Sequence, residues 1–170
     1  MVNISVIQAI LIGLWTAFCY SGMLFGIFTN RCLVLSFGVG VILGDLPTAL
    51  SVGAISELAF MGFGVGAGGT VPPNPIGPGI IGTLMAITNV TPETALSLSI
   101  PFAVAIQFLQ TAIYTVRAGG PQGAINALKR QDFAGFRLQA NLTVVLFAVV
   151  GFLLGFTGSV AMEWLSYVVG

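Results

Sequence analysis

Thr70-Val71-Pro72-Pro73-Asn74-Pro75-Ile76-Gly77-Pro78-Gly79 packs four prolines and two glycines into ten residues. Proline lacks the backbone donor and clashes with the preceding turn, so no regular helix runs through this stretch. Immediately before it stands Gly62-Phe63-Gly64-Val65-Gly66-Ala67-Gly68-Gly69, and the sequence on both sides is apolar. Thr48 to Met61 ahead of the break and Ile80 to Val90 behind it each fall short of the roughly 20 helical residues that cross a hydrocarbon core. Leu33 to Leu43 is a third short run, 11 residues ending at Gly44-Asp45-Leu46-Pro47. As a helix it rises about 16 Å, half the membrane. Backbone that is not helical at membrane depth survives only where protein buries it or where it lines a watery cavity, and short interrupted segments point to a transporter's binding site.

Longer runs flank this region. Ile4 to Phe28 is 25 residues without a charge, Thr94 to Val116 is 23, and Leu142 to Met162 is 21. Each is long enough to span a bilayer. Pro101 predicts a kink in the second, and Gly22 and Gly26, four apart, suggest close approach of another helix backbone to the first. Met1 to Asn3 carries no basic segment, and the apolar run that follows is too long for a cleaved signal, so the first span is expected to persist. The fold class expected is therefore an all-α membrane protein, a polytopic helical bundle with short broken or re-entrant segments, in one membrane domain over residues 1–170.

Composition supports the same class. Charged residues are 6% of the chain and hydrophobic residues 56%, with a mean hydropathy of +1.05. A soluble domain carries about 25% charge. The net charge is zero, which gives no reason to expect a nucleic-acid partner. Four of the five basic residues, Arg117, Lys129, Arg130 and Arg137, fall between the last two spans. The positive-inside tendency makes residues 118–138 a cytoplasmic loop, with Ala124, Ile125 and Leu128 as one apolar face of an interfacial helix.

Several motifs are discounted. Gly64 to Gly69 matches the dinucleotide pattern G-x-G-x-x-G, which needs a helix directly after it, and Pro72, Pro73 and Pro75 forbid one. Close packing or a hinge is the better account of those glycines. Cys19 and Cys32 lie in or beside apolar runs, with no metal-ligand spacing, and read as packing residues. Asn3, Asn89 and Asn141 sit in chance glycosylation patterns at the margins of membrane segments. The chain has no histidine. That removes the commonest general base, metal ligand and phosphoryl acceptor, so neither a catalytic centre nor a cofactor or metal is expected.

The candidate site lies at the polar residues of the broken region. Asp45 and Glu57 are ionisable groups in apolar sequence, where a charge at mid-membrane costs about 2.5–3.5 kcal/mol on insertion scales. A sugar is held through its hydroxyls, to which carboxylates and amides are suited. Glu57 and Asn74, with Asp45, Ser56 and Thr70, supply such groups. Asp45 has a second reading, as the cap of a helix started by Pro47. Glu57, in mid-segment with no basic residue within 20 positions, points to a polar cavity. Gln107, Gln110, Tyr114 and Arg117 share one helix face by their spacing and should face the bundle interior, lining a route or bonding to a neighbouring helix.

At Gly44-Asp45-Leu46-Pro47, and above all at Ser56-Glu57-Leu58-Ala59-Phe60-Met61-Gly62 through Pro72-Pro73-Asn74-Pro75-Ile76-Gly77, the chain resembles the IIC membrane component of the mannose/fructose/sorbose family of bacterial phosphotransferase systems. It is most similar in character to the N-acetylgalactosamine or galactosamine branch. The resemblance implies a multi-pass subunit of the bacterial cytoplasmic membrane that assembles with a IID membrane component and moves a sugar inward. IIA and IIB components would pass the phosphoryl group through their own histidines. It also implies a sugar site carried by position onto Glu57 and Asn74, and then Asp45 and Thr70. Members of the family are longer, so the chain is expected to be the N-terminal part of a longer component. Two alternatives stand beside this reading: a secondary transporter that carries a proton on Asp45 or Glu57, and a shortened membrane fragment that associates with a partner without transporting.

Overall fold

The computed structural model describes residues 4–61, 73–88 and 90–169, with backbone alone at 61 and 163–169. All regular structure among them is helical. Helix α1, Val6–Gly22, opens with a capping box: Ser5 Oγ accepts from the Gln8 N–H at 3.3 Å while Gln8 Oε1 accepts from the Ser5 N–H at 2.9 Å. These reciprocal bonds satisfy two of the donors that every helix start leaves free.

The first span does not run as a single helix to Phe28. It ends at Gly22, passes through a 3-10 turn at Met23–Phe25 and reverses at Gly26, whose φ of 72° suits glycine. Thr29 folds back beneath it and donates to Cys19 O at 2.9 Å. Gly22 and Gly26 therefore serve this reversal and not a helix crossing. The close crossing lies elsewhere, between α1 and α7 (Phe133–Val169): a side chain at Gly155 would stand 2.9 Å from Ile12 O, and one at Gly151 would stand 3.0 Å from Ala17 Cα.

Helices α2, Cys32–Leu43, and α3, Leu46–Met61, form an antiparallel hairpin. Gly44 makes the turn at φ 81°, and Asp45 Oδ1 accepts from the Thr48 N–H at 3.2 Å, capping α3. The helices lie close because Gly40 faces Leu46 Cα and Gly53 faces Leu33 Cα, each at 3.1 Å from an added side chain. With 12 and 16 residues the two arms rise roughly 18 and 24 Å, so the hairpin returns the chain to the side it left without either arm spanning the full core.

Contrary to the sequence expectation, helix enters the proline-rich stretch: a π-helical turn, Gly77–Gly82, carries Pro78 in its first positions, where a missing N–H is tolerated, and continues as α4, Thr83–Ile87. It lies between the hairpin and α5, Pro92–Val116. Thr83 Oγ1 bridges Ser36 Oγ at 2.9 Å and Gly79 O at 3.0 Å, fixing the turn against α2. A π turn inside a helix frequently marks a functional site. Helix α6, Gly120–Lys129, packs on the start of α7.

That last helix begins earlier than its apolar run, because Asp132 Oδ1 accepts from the Gly135 N–H at 2.9 Å and so starts a helix inside the stretch expected to be loop. Arg117 ties the end of α5 to it through Gln139 O at 3.1 Å and Thr143 Oγ1 at 3.1 Å.

The core is apolar, as in a soluble protein, but the exterior is apolar too. Phe28, Phe108 and Val116 are more than 70% exposed, while Thr16, Ser36, Ser56, Asn74, Thr83, Ser99, Gln110 and Ser159 are buried. Large apolar side chains outward, with polar ones enclosed and all but Ser56 hydrogen-bonded, suit hydrocarbon as the solvent. Three helical regions, Val6–Phe25, Pro92–Lys129 and Phe133–Met162, are long and apolar enough to cross a membrane.

Candidate functional site

The hairpin register places Glu57, near the end of α3, beside the first turn of α2. Its Oε1 lies 2.6 Å from Arg31 Nη2, and its Oε2 accepts from the Leu33 N–H at 3.4 Å. The carboxylate thus serves an α2 start whose own cap residue, Arg31, makes no side-chain cap bond. The positive end of the helix dipole favours a negative charge there. Ser56, next in the chain, is fully buried, and its Oγ has no hydrogen-bond partner.

Asn74 is fully buried as well. Its backbone N–H donates to Ala103 O at 3.0 Å, its Oδ1 accepts from the Ile76 N–H at 3.1 Å, and its Nδ2 donates to Gln110 Oε1. Tyr20 from α1 donates to the same Gln110 oxygen at 3.3 Å. One amide thereby fastens the end of the proline-rich stretch to α5, and α1 joins through the tyrosine. Pro75 O then accepts from Cys32 Sγ at 3.9 Å, next to Arg31 and Leu33. The Asn74 network and the Glu57 pair therefore meet at the start of α2.

Asp45 is not part of this convergence. It caps α3 at the other end of the hairpin, 12 residues and roughly 18 Å along the axis from Glu57. Thr70 lies outside the described residues. The stripe of Gln107, Gln110, Tyr114 and Arg117 does not face inward as a unit. Gln110 is buried in the network and Arg117 reaches α7, but Tyr114 is half-exposed at 5.4 Å from the Phe147 ring. Gln107 lines an outward groove of 280 Å³ with Pro73, Val104, Phe108 and Thr111. Tyr114 and Arg117 both meet α7, Gln110 meets Asn74 and Tyr20, and Gln107 borders the groove.

Arg31 and Tyr20 were not singled out from sequence. A signal for Arg31 did exist: it is the only basic residue before Arg117, in the same half of the chain as Asp45 and Glu57. Tyr20, in an unbroken apolar run, gave none. The arrangement holds one compensated carboxylate beside two buried amides that bond each other, and no group of metal-ligating side chains occurs among the described residues.

An all-helical bundle with a broad apolar exterior, three helices long enough to span a bilayer and a short helical hairpin between them defines a multi-pass helical membrane protein. Within that class the chain belongs to the family described as PTS system sorbose-specific IIC component, whose pattern matches residues 6–167.

Among its relatives it is 34% identical over 143 residues to N-acetylgalactosamine permease IIC component 1 of Escherichia coli K12, covering 81% of this chain and 53% of that protein. It is 39% identical over 119 residues to putative N-acetylgalactosamine permease IIC component 2 of the same organism, covering 69% of this chain and 89% of that one. The chain thus spans about half the length of the first.

The fold matches a solved membrane protein over 98% of this chain and 69% of that one, at a TM-score of 0.82 and 21% identity. It matches the mannose transporter ManYZ, solved with microcin E492, over 94% of this chain and 65% of that one, at the same score and identity.

Proposed function

We propose that the chain is a sugar-translocating subunit of a phosphoenolpyruvate-dependent phosphotransferase system, importing N-acetylgalactosamine, galactosamine or a related hexose. In this reading a IID component completes the membrane path, and IIA and IIB components phosphorylate the sugar as it emerges. Support for the sugar class comes from the names of the two E. coli relatives. The absence of histidine from the sequence supports phosphorylation by partners.

The observation that carries the proposal is that Glu57 and the segment anchored by Asn74 both contact the start of α2. Glu57 accepts hydroxyl donors from the sugar, Ser56 adds a hydroxyl, and Asn74 holds the segment that faces them. A carboxylate with lone pairs left over from its protein partners matches a polyhydroxylated ligand better than an apolar cargo.

The test is uptake of labelled N-acetylgalactosamine in cells that supply the partner components. Glu57→Gln keeps the shape and removes the charge, so uptake at low sugar should fall at least tenfold with the membrane content of the protein unchanged. Unaltered uptake kinetics in that variant would remove Glu57 from the site. Wild-type uptake that persists without phosphoenolpyruvate yet collapses with the proton gradient would replace the phosphotransferase reading by an ion-coupled one.

A further inference from the structure

Glu57 is the only carboxylate among the described residues that is held in an ion pair, and its partner stands at the start of a different helix, 26 positions away. We infer that Arg31 is a positioning residue for sugar binding: it sets the plane and charge environment of the Glu57 carboxylate without being required for the fold. The inference rests on the reading of Glu57 as a sugar-binding group and adds a residue that reading did not contain.

Geometry argues for this role. An ionised carboxylate has about four lone-pair directions. Arg31 Nη2 takes one on Oε1 at 2.6 Å, and the Leu33 N–H takes one on Oε2 at 3.4 Å. With both oxygens held, the carboxylate cannot spin about its bond, and about two directions remain for hydroxyl donors. The guanidinium also places an opposite charge beside the carboxylate.

Exposure argues against a purely structural clamp. The Arg31 side chain is 53% exposed and that of Glu57 20%. The arginine is thus not enclosed as a core residue would be, and if water reaches it the pair adds little to stability. A second observation is independent of the pair. The residue just before each partner carries a buried oxygen without a hydrogen-bond partner, Asn30 Oδ1 and Ser56 Oγ. Buried polar atoms are nearly always satisfied, and unmet capacity on the residue preceding each partner suits a ligand rich in hydroxyls.

The remaining cations do not substitute for Arg31. Arg117 is committed to Gln139 and Thr143 on α7, and Lys129, Arg130 and Arg137 belong to α6 and the start of α7. Loss of Arg31 therefore leaves Glu57 uncompensated and held only by the long bond from the Leu33 N–H.

The experiment compares sugar uptake by wild type, Arg31→Gln, Arg31→Lys and Glu57→Gln in cells supplying the partner components, with KM and maximal rate measured separately and membrane abundance followed by immunoblot. Arg31→Gln should raise KM about tenfold, the loss of one charge-assisted hydrogen bond, with maximal rate within twofold. Arg31→Lys keeps the charge and should recover most of the affinity.

A defective Glu57→Gln alongside a normal KM in Arg31→Gln overturns the role of Arg31 and leaves the Glu57 site standing. Normal uptake in Glu57→Gln removes both. If Arg31→Gln lowers maximal rate or membrane abundance with KM unchanged, or if neither arginine variant accumulates, the pair is a structural clamp and the inference is wrong.

Discussion

Replacing Asn74 by alanine tests the packing logic of the whole broken region. The residue is fully buried, and its side chain both accepts and donates: Oδ1 receives the Ile76 N–H at 3.1 Å and Nδ2 gives to Gln110 Oε1. In Asn74→Ala the Ile76 N–H is left without that partner, at a cost of about 1–3 kcal/mol for a buried donor. Gln110 loses less, because Tyr20 still donates to its oxygen at 3.3 Å. The backbone bond to Ala103 O also survives. The expected destabilisation is therefore about 2–3 kcal/mol, set mainly by one orphaned donor.

Gln110→Ala should cost a similar amount, since it strands the Asn74 amide and the Tyr20 hydroxyl together. The two side chains share one bond, so the double variant should lose about 1 kcal/mol less than the sum of the singles. The measurement is equilibrium unfolding in mixed micelles followed by tryptophan fluorescence. A single-variant loss below about 0.5 kcal/mol, within the range of an ordinary surface change, would refute the argument. Strict additivity would show that Asn74 and Gln110 do not act on each other.

Two further outcomes use the same unfolding assay. Gly155→Leu places side-chain atoms where Ile12 O already lies 2.9 Å from the first carbon, so α1 and α7 must separate. A loss of about 1–3 kcal/mol is expected, and an unchanged midpoint would show that the crossing is looser than the geometry states. Asp45→Ala removes the Thr48 N–H cap and should cost about 1 kcal/mol. Its sugar uptake should stay within twofold of wild type, because the cap stands at the far end of the hairpin from Glu57. A large rise in KM there would return Asp45 to the binding site.

Much of this architecture is legible without coordinates. Low charge, three long apolar runs and the proline-rich interruption at 70–79 define a membrane bundle broken in its middle. The reading works because transfer into lipid is a sum over neighbouring residues, and proline acts on its own turn. The helix ends were less legible. Phe28 looks as apolar as Gly22, but Thr29 folding back on Cys19 stops α1 first, and Asp132 starts α7 well before Leu142. Both are local hydrogen bonds that compete with hydropathy.

The candidate site divides in the same way. Glu57 and Asn74 stood out as polar residues in apolar surroundings, a property of the sequence around each. Their partners did not, because Arg31 is 26 residues from Glu57 and Gln110 is 36 from Asn74. Tertiary structure decided three things: that Glu57 is charge-compensated, that Asn74 is enclosed, and that Asp45 is set apart from both. The physical reason is chain reversal. A turn at Gly44 and the close backbone contacts at Gly40 and Gly53 set the register of α2 against α3, and only that register selects which distant side chain meets the carboxylate.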